Sequence, residues 1–268
     1  MKVYLMTDLE GVAGVWTWEN RDDHTQINVE YRLMARRLLT AEVNAAVEGL
    51  MSGGATEVIV NDGHGAGSTI DIEQLDRRVR LIHGRSRPFW LPLLDESCDA
   101  TVLVGAHAKA GTPSANLCHS MSGQIRNYTF NGISHGEIGM QAMIAGHFGV
   151  PMVFLSGDVH ACREVEGFIP GVVTAAVKQG LSSLSAATLA PAAARDLIRE
   201  RAREAMGAVG KVAPYRVEGP LVFTEERYEA AFDPENPPPV GTVVDPHTLR
   251  VEARDIVDLF NRLYGYSG

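Results

Sequence analysis

This sequence predicts an α/β fold, a mostly parallel central sheet flanked by helices, on three observations. The short apolar run Val3-Tyr4-Leu5-Met6 is followed by a long helical pattern and a second apolar run, Val58-Ile59-Val60, the β-α-β unit that favours parallel pairing. Apolar runs of this kind recur to about residue 177 and alternate with helical stretches. Three of them run directly into polar residues, at the carboxyl ends of strands where ligands of open α/β sheets gather.

The first run, 2–7, reads as a buried strand that delivers Asp8 and Glu10 into a loop, with Gly11 letting the backbone turn away. Side chains alternate along extended backbone, so positions 8 and 10 can point the same way and offer two hard oxygen donors to one metal or to two adjacent ones. The plainer reading of these acids is a helix cap or a solvated loop. Asn28, a good N-cap, opens a helical spacing through Val29, Leu33, Leu38, Val43, Val47 and Leu50, which Gly53-Gly54 ends. Residues 56–60 form the second strand and run into Asn61-Asp62-Gly63-His64-Gly65-Ala66-Gly67, a glycine-rich loop that lets backbone approach a ligand closely.

A third strand is expected over 79–83 and a fourth over 100–105, ending at Ala106-His107. Asn131-Gly132 supplies the positive φ angles of a type I′ turn between strands 126–130 and 133–135. Gly136-Glu137 opens a helix through Phe148; a strand over 151–156, a short helix over 158–167 and an apolar run over 172–177 follow. Beyond Lys178 come an alanine-rich helix over 191–208, a strand-like stretch over 215–224, a proline-rich loop over 233–241, a strand over 249–253 and a helix over 256–264. The expected organisation is an α/β metal-binding catalytic domain over 1–180 and a smaller C-terminal α+β lobe over 181–268, packed as one compact unit.

Composition narrows the class. With 268 residues, 45% of them hydrophobic and 21% charged, the chain has the balance of an ordinary soluble globular protein. No apolar stretch reaches the length of a membrane helix, and the N-terminal run stops at Asp8, too short for the core of a signal peptide. A cytoplasmic location and no membrane partner are the expectations. Cys98, Cys118 and Cys162 form no close pair, which fits reduced thiols better than a disulfide framework or a thiolate metal site. A net charge of −9 without a basic run argues against nucleic acid as a partner.

The residues with chemistry to offer are Asp8, Glu10, His64, His107, His119 and Glu137, with His83, His135, His147 and His160 as lesser candidates. Imidazole and carboxylate without thiolate suit zinc, manganese or iron better than magnesium. Such a set exceeds the needs of one catalytic zinc and suits two metals bridged by a carboxylate, which together activate a water and polarise a carbonyl.

Thr7-Asp8-Leu9-Glu10-Gly11, Asn61-Asp62-Gly63-His64, Gly105-Ala106-His107-Ala108, His119-Ser120-Met121, Gly136-Glu137-Ile138-Gly139 and Thr174-Ala175-Ala176-Val177-Lys178-Gln179 resemble, in order and spacing, the D-aminopeptidase family of dinuclear zinc peptidases. The resemblance covers at least the first two thirds of the chain. It implies that Asp8, Glu10, His64, His107 and Glu137 hold two zinc ions, with Asp8 bridging, and that His119 serves catalysis. It also implies a short peptide substrate with a D-amino acid at its N-terminus, and a homodecamer of two stacked five-membered rings. His135 and the small-sided Gly65-Ala66-Gly67 depart from the family pattern and bear on substrate preference, because one methylene in a pocket is worth only about 1–3 kcal/mol of discrimination.

Three other readings compete with the aminopeptidase. An amidase acting on D-amino-acid linkages of cell-wall-derived peptides would use the same metals. A magnesium-dependent phosphohydrolase fits a strand ending in Asp-x-acid-Gly, but the histidines count against it. A non-catalytic metal-binding scaffold would leave His119 without a task and close the coordination shell. A free substrate amine would need a carboxylate near the metals, with Glu10 or Asp62 in reach unless Asp62 simply turns its loop.

Overall fold

The computed structural model describes residues 1–266. In chain order its elements are β1 (Lys2–Thr7), α1 (Gln26–Ser52), β2 (Glu57–Asn61), β3 (Arg80–Ile82), β4 (Ala100–Ala106), β5 (Ile125–Phe130), β6 (Ile133–Ser134), α2 (Glu137–His147), β7 (Met152–Asp158), α3 (Val159–Glu166), β8 (Val173–Ser182), β9 (Ser185–Thr188), α4 (Pro191–Ala205), β10 (Leu221–Arg227), β11 (Thr242–Asp245), β12 (Thr248–Ala253) and α5 (Ile256–Tyr264).

The predicted central sheet is present, in the order β3-β2-β1-β4-β7-β8-β9. Every pairing from β3 to β8 is parallel, and β9 closes the edge antiparallel to β8. Leu5 of β1 stands opposite Val60 and Val102, and all three are fully buried, which is why these strands read as continuous apolar runs. From β1 the chain crosses through α1 to β2 on one side, and from β4 through α2 to β7 on the other. With right-handed crossovers this puts α1 and α2 on opposite faces and makes the gap between β1 and β4 the topological switch point. Helix α4 packs on α1, while α2 packs on α3 and α5.

The second sheet runs β11-β12-β10-β5-β6 and its pairings are antiparallel. Hairpin β5-β6 turns at Asn131 and Gly132, both at positive φ as expected, and joins β10 edge to edge. Residues 181–266 thus contribute β9 to the first sheet and take β5 and β6 from residues 125–134 into the second. Because β5, β6 and α2 are threaded between β4 and β7, the loop after His107 and the start of α2 are both carried to the switch point.

Local departures from expectation have physical causes. Helix α1 starts at Gln26, not after Asn28, whose amide instead donates to the carbonyls of Asn20 and Asp23. Strand β8 continues to Ser182 and pairs with an unexpected β9; the extension over 178–182 and β9 itself are rich in small and polar residues and break the apolar run. Strand β10 begins at Leu221 rather than near 215, because Pro214 and Pro220 lack the N–H a ladder needs. Strand β11 lies just past the proline-rich loop and escapes the pattern reading.

Candidate metal centre

Strands β1 and β4 approach each other at backbone distance beyond their ladder. Asp8 N–H donates to the Val104 carbonyl at 2.8 Å, and Gly11 N–H to that of Gly105 at 2.7 Å. A Cβ on Gly11 would sit 1.9 Å from the Ala106 oxygen, and one on Gly105, at φ +84, would sit 2.1 Å from the Asp8 oxygen. Gly11 therefore serves close approach to β4 as well as the expected turn, which Val12 N–H closes on the Leu9 carbonyl at 3.2 Å. This contact brings Asp8 and His107 face to face across the switch point.

Around Asp8 the predicted residues converge. Oδ1 of Asp8 is 3.2 Å from Nδ1 of His64, and Oδ2 is 3.1 Å from Nε2 of His107. Nδ1 of His64 is also 3.0 Å from Oε2 of Glu10, while Nε2 of His107 is 3.4 Å from Oε1 of Glu137. The donors fall into two groups, Asp8, Glu10, His64 and His107, His119, Glu137, each with ligand atoms within 4.8 Å of one another.

The hydrogen bonding within these groups is telling. Nε2 of His107 and Oε2 of Glu10 are buried and have no hydrogen-bond partner, although other donors of the cluster lie within 3.4 Å of each. These atoms are close but not aimed along each other's hydrogen-bonding directions, the arrangement of donors that converge on a shared point. Nδ1–H of His107 is taken up by the Ala108 carbonyl at 2.9 Å, which makes Nε2 the nitrogen that faces the acids. This donor set fits a divalent cation.

Charge explains the electrostatics of the cluster. Burial alone would keep Asp8 protonated, but His107 and His64 outweigh it and hold its carboxyl well below the usual range. Burial likewise opposes protonation of both rings. Glu10, Asp8 and Glu19 overcome it at His64, and Asp8 and Glu137 at His107, raising both imidazoles well above their ordinary value. Glu137 is lowered too, its burial outweighed by His107 and His119. A cation entering such a site would displace imidazole protons.

Glu137 opens α2, where the helix dipole favours a carboxylate, and its Oε1 accepts from Met121 N–H at 2.7 Å. His119 lies on the loop between β4 and β5. Its ring stacks on His107 at 3.9 Å between centroids, and Trp18 meets it edge-on at 5.1 Å. Its Nδ1–H donates to the Leu117 carbonyl at 2.9 Å, so Nε2 is the free atom, 3.7 Å from Oε1 of Glu137. Ser114, Leu117 and Met121 all have positive φ, an unfavourable backbone conformation that the surrounding contacts must impose on this loop.

The remaining sequence candidates play other parts. Asp62 is saturated by Thr69 and Ile70 and turns its loop, so it is not available to a substrate amine. His135 donates or accepts at Tyr215 Oη, 2.9 Å away, and burial drops its pKa to about 4, which makes it a neutral core residue. His83 and His147 are exposed, and His160 follows β7 on α3; none lines the cavity described next.

A cavity of about 760 Å³ opens onto Asp8, His64, His119 and Glu137, with Arg21, Arg85, Phe89 and Tyr266 on its other walls. That is room for a short peptide. Sequence reasoning missed Glu19, whose Oε2 lies 3.3 Å from Nε2 of His64, and Asn116, which with the carbonyls of Glu10 and Val15 accepts from the buried Lys178 ammonium. Burial pulls Lys178 down to about 8 against the pull of neighbouring carboxylates. Burial also works against ionisation of Glu19, but His64 and Arg21 hold its carboxyl at about 2. Neither Glu19 nor Asn116 belongs to a periodic stretch, and their partners are distant in sequence.

Residues 1–264 match the family model for D-aminopeptidases, the M55 peptidases. The chain belongs to this family. A D-aminopeptidase of Bacillus subtilis (strain 168) is 35% identical over 217 residues, 80% of this chain and 77% of that protein. Among solved structures, the zinc-dependent D-aminopeptidase DppA of Bacillus subtilis, described as a self-compartmentalizing protease, superposes with a TM-score of 0.91 at 30% identity. The match covers 99% of this chain and 96% of that one. As an M55 member, the chain keeps its acids and imidazoles at the switch point of a fold shared over nearly its whole length.

Proposed function

We propose that this protein is a zinc-dependent aminopeptidase that removes an N-terminal residue, preferably a D-amino acid, from short peptides. The observation that carries this reading is Asp8, whose two oxygens face two separate donor groups, each containing a buried polar atom with no hydrogen-bond partner. Asp8, Glu10, His64, His107 and Glu137 would hold two zinc ions, with Asp8 between them. When bound, zinc polarises a scissile carbonyl and lowers the pKa of water.

The chain's own residues supply the rest. His119 offers Nε2 to the cavity while its Nδ1–H is fixed on the Leu117 carbonyl, so one nitrogen is free to take a proton from the attacking water and return it to the departing amine. The same atom, protonated, can stabilise a tetrahedral oxyanion. The strained loop through Leu117 and Met121 keeps that ring over the site. Aromatic residues Phe89, Trp90 and Tyr264 wall the cavity and offer apolar surface to the peptide.

The protein acts in this reading as a cytoplasmic homo-oligomer, a decamer of two five-membered rings. Trp16, Leu181 and Leu184 are each about half exposed, and Trp16 and Leu184 border a crevice of about 330 Å³, apolar surface that a second copy would cover. Among the described residues no helix is long and apolar enough to cross a membrane.

The test is zinc content measured together with amino-acid release from matched D- and L-terminal dipeptides and their N-acetylated forms. Two zinc equivalents, faster release from the D-terminal peptide and poor turnover of blocked peptides are expected. Equal rates for blocked and free peptides would turn the reading to an amidase.

A further inference from the structure

We propose that Glu19 is a positioning residue that fixes the ring of His64 so that Nδ1 faces Asp8 and Glu10. The inference rests on the metal reading above. An imidazole with one nitrogen committed to a ligand needs an acceptor for the other N–H, or the neutral ring divides between two tautomers and the committed nitrogen spends part of its time protonated. Oε2 of Glu19 supplies that acceptor, 3.3 Å from Nε2 of His64.

The carboxylate is itself held from two directions. Arg21 donates through Nε at 2.7 Å to the same Oε2, and Arg32 of α1 donates through Nε at 3.1 Å to Oε1. The Glu19 side chain is only 8% exposed, while Arg21 and Arg32 are 35% and 30% exposed, and the two charged hydrogen bonds fix the carboxylate from opposite sides. His64 is thus oriented by the connection between β1 and α1, an element separate from its own loop.

The same arrangement accounts for the small-sided loop after His64. Gly65 sits at φ +54, and a Cβ there would fall 1.8 Å from Nη2 of Arg21. The Arg21 guanidinium lies where that side chain would be. The loop is stripped of side chain so that the arginine securing Glu19 can pack over it.

The experiment measures zinc affinity by chelator competition, and the absorption spectrum of the cobalt-substituted protein, for the wild type, Glu19→Ala, Glu19→Gln and His64→Ala. Loss of an outer partner to a ligating histidine costs about 10–100-fold in metal affinity. Glu19→Ala should weaken by that factor the ion that His64→Ala removes, with the same change in the cobalt spectrum, and leave the other ion in place. Glu19→Gln, which keeps an acceptor oxygen of the same reach, should recover most of the affinity. Wild-type affinity for both ions in Glu19→Ala, or equal weakening of both, overturns the proposal; the latter is what a merely structural role gives. If Glu19→Ala does not fold, Glu19→Gln decides alone, since a spectrum and affinity like those of His64→Ala would show that no acceptor role is shared. A wild type that binds no zinc at His64 overturns the metal reading and this inference with it.

Discussion

Oδ2 of Asp8 and buried Nε2 of His107 stand 3.1 Å apart with no hydrogen bond between them. Two strong polar groups at that distance ordinarily align. Their misalignment, repeated between Glu10 and His64, has a common cause if both groups point at a third centre. Asp8→Asn tests this directly, because an amide offers one neutral oxygen where the carboxylate offers two charged ones. On the two-zinc reading, zinc content should fall to one equivalent or fewer, and activity should fall with it. Elemental analysis of the purified variant decides it; two retained equivalents would remove the bridge.

His119 distinguishes catalysis from ligation. Its ring stacks on His107 and its Nε2 belongs geometrically to the group with His107 and Glu137. As a proton-transfer residue, it should cost about 10²–10⁴-fold in turnover when changed to alanine while both zinc ions stay. His64→Ala and His107→Ala should lose metal as well. Paired kinetics and metal analysis of the three variants separate the roles, and a zinc ion missing from His119→Ala would place His119 among the ligands.

Gly65→Ala combines two costs. The φ of +54 is strained for an alanine by about 1–2 kcal/mol, and the new methyl displaces the Arg21 guanidinium that now lies 1.8 Å from its position. The melting temperature should drop by roughly 2–4 °C per kcal/mol in a chain of this size. Calorimetry checks the drop; an unchanged transition would mean that loop and arginine move aside freely.

What the sequence makes legible follows from how each residue reaches the site. Asp8, His64 and His107 stand beyond parallel strands, and Glu137 opens a helix, so local patterns that set the elements also mark them. Val3 to Thr7 and Ala100 to Ala106 are buried on both faces, and that burial is what an apolar run records. Glu19 leaves no such mark. It sits in an aperiodic connection between β1 and α1, and what makes it matter is contact with His64, 45 positions away. The same holds for β9 and β11, whose pairing comes from partner strands and not from their own composition. His135 errs the other way, a histidine beside a predicted ligand that serves only as a core partner of Tyr215.

Glu42 gives a pH dependence of stability that does not involve the metals. It lies on α1, is 2% exposed, and accepts from Ala13 N–H at 2.9 Å through Oε1, while Oε2 has no partner. Burial raises its pKa from 4.5 to about 8, only partly offset by the Ala13 hydrogen bond and the charge of Lys178. Between those two values the folded chain keeps a proton that the unfolded chain releases, so stability falls as pH rises. The contribution is complete below 4.5 and lost once pH passes 8, at about 1.4 kcal/mol for each pKa unit of difference. Glu42→Gln keeps the acceptor for Ala13 and cannot ionise. Its buried amide N–H adds a constant penalty of about 1–3 kcal/mol, the same at every pH. Melting temperatures of both proteins at pH 5 and pH 8 should therefore show the variant gaining on the wild type by several degrees as pH rises. Parallel curves would mean that Glu42 does not titrate in this range.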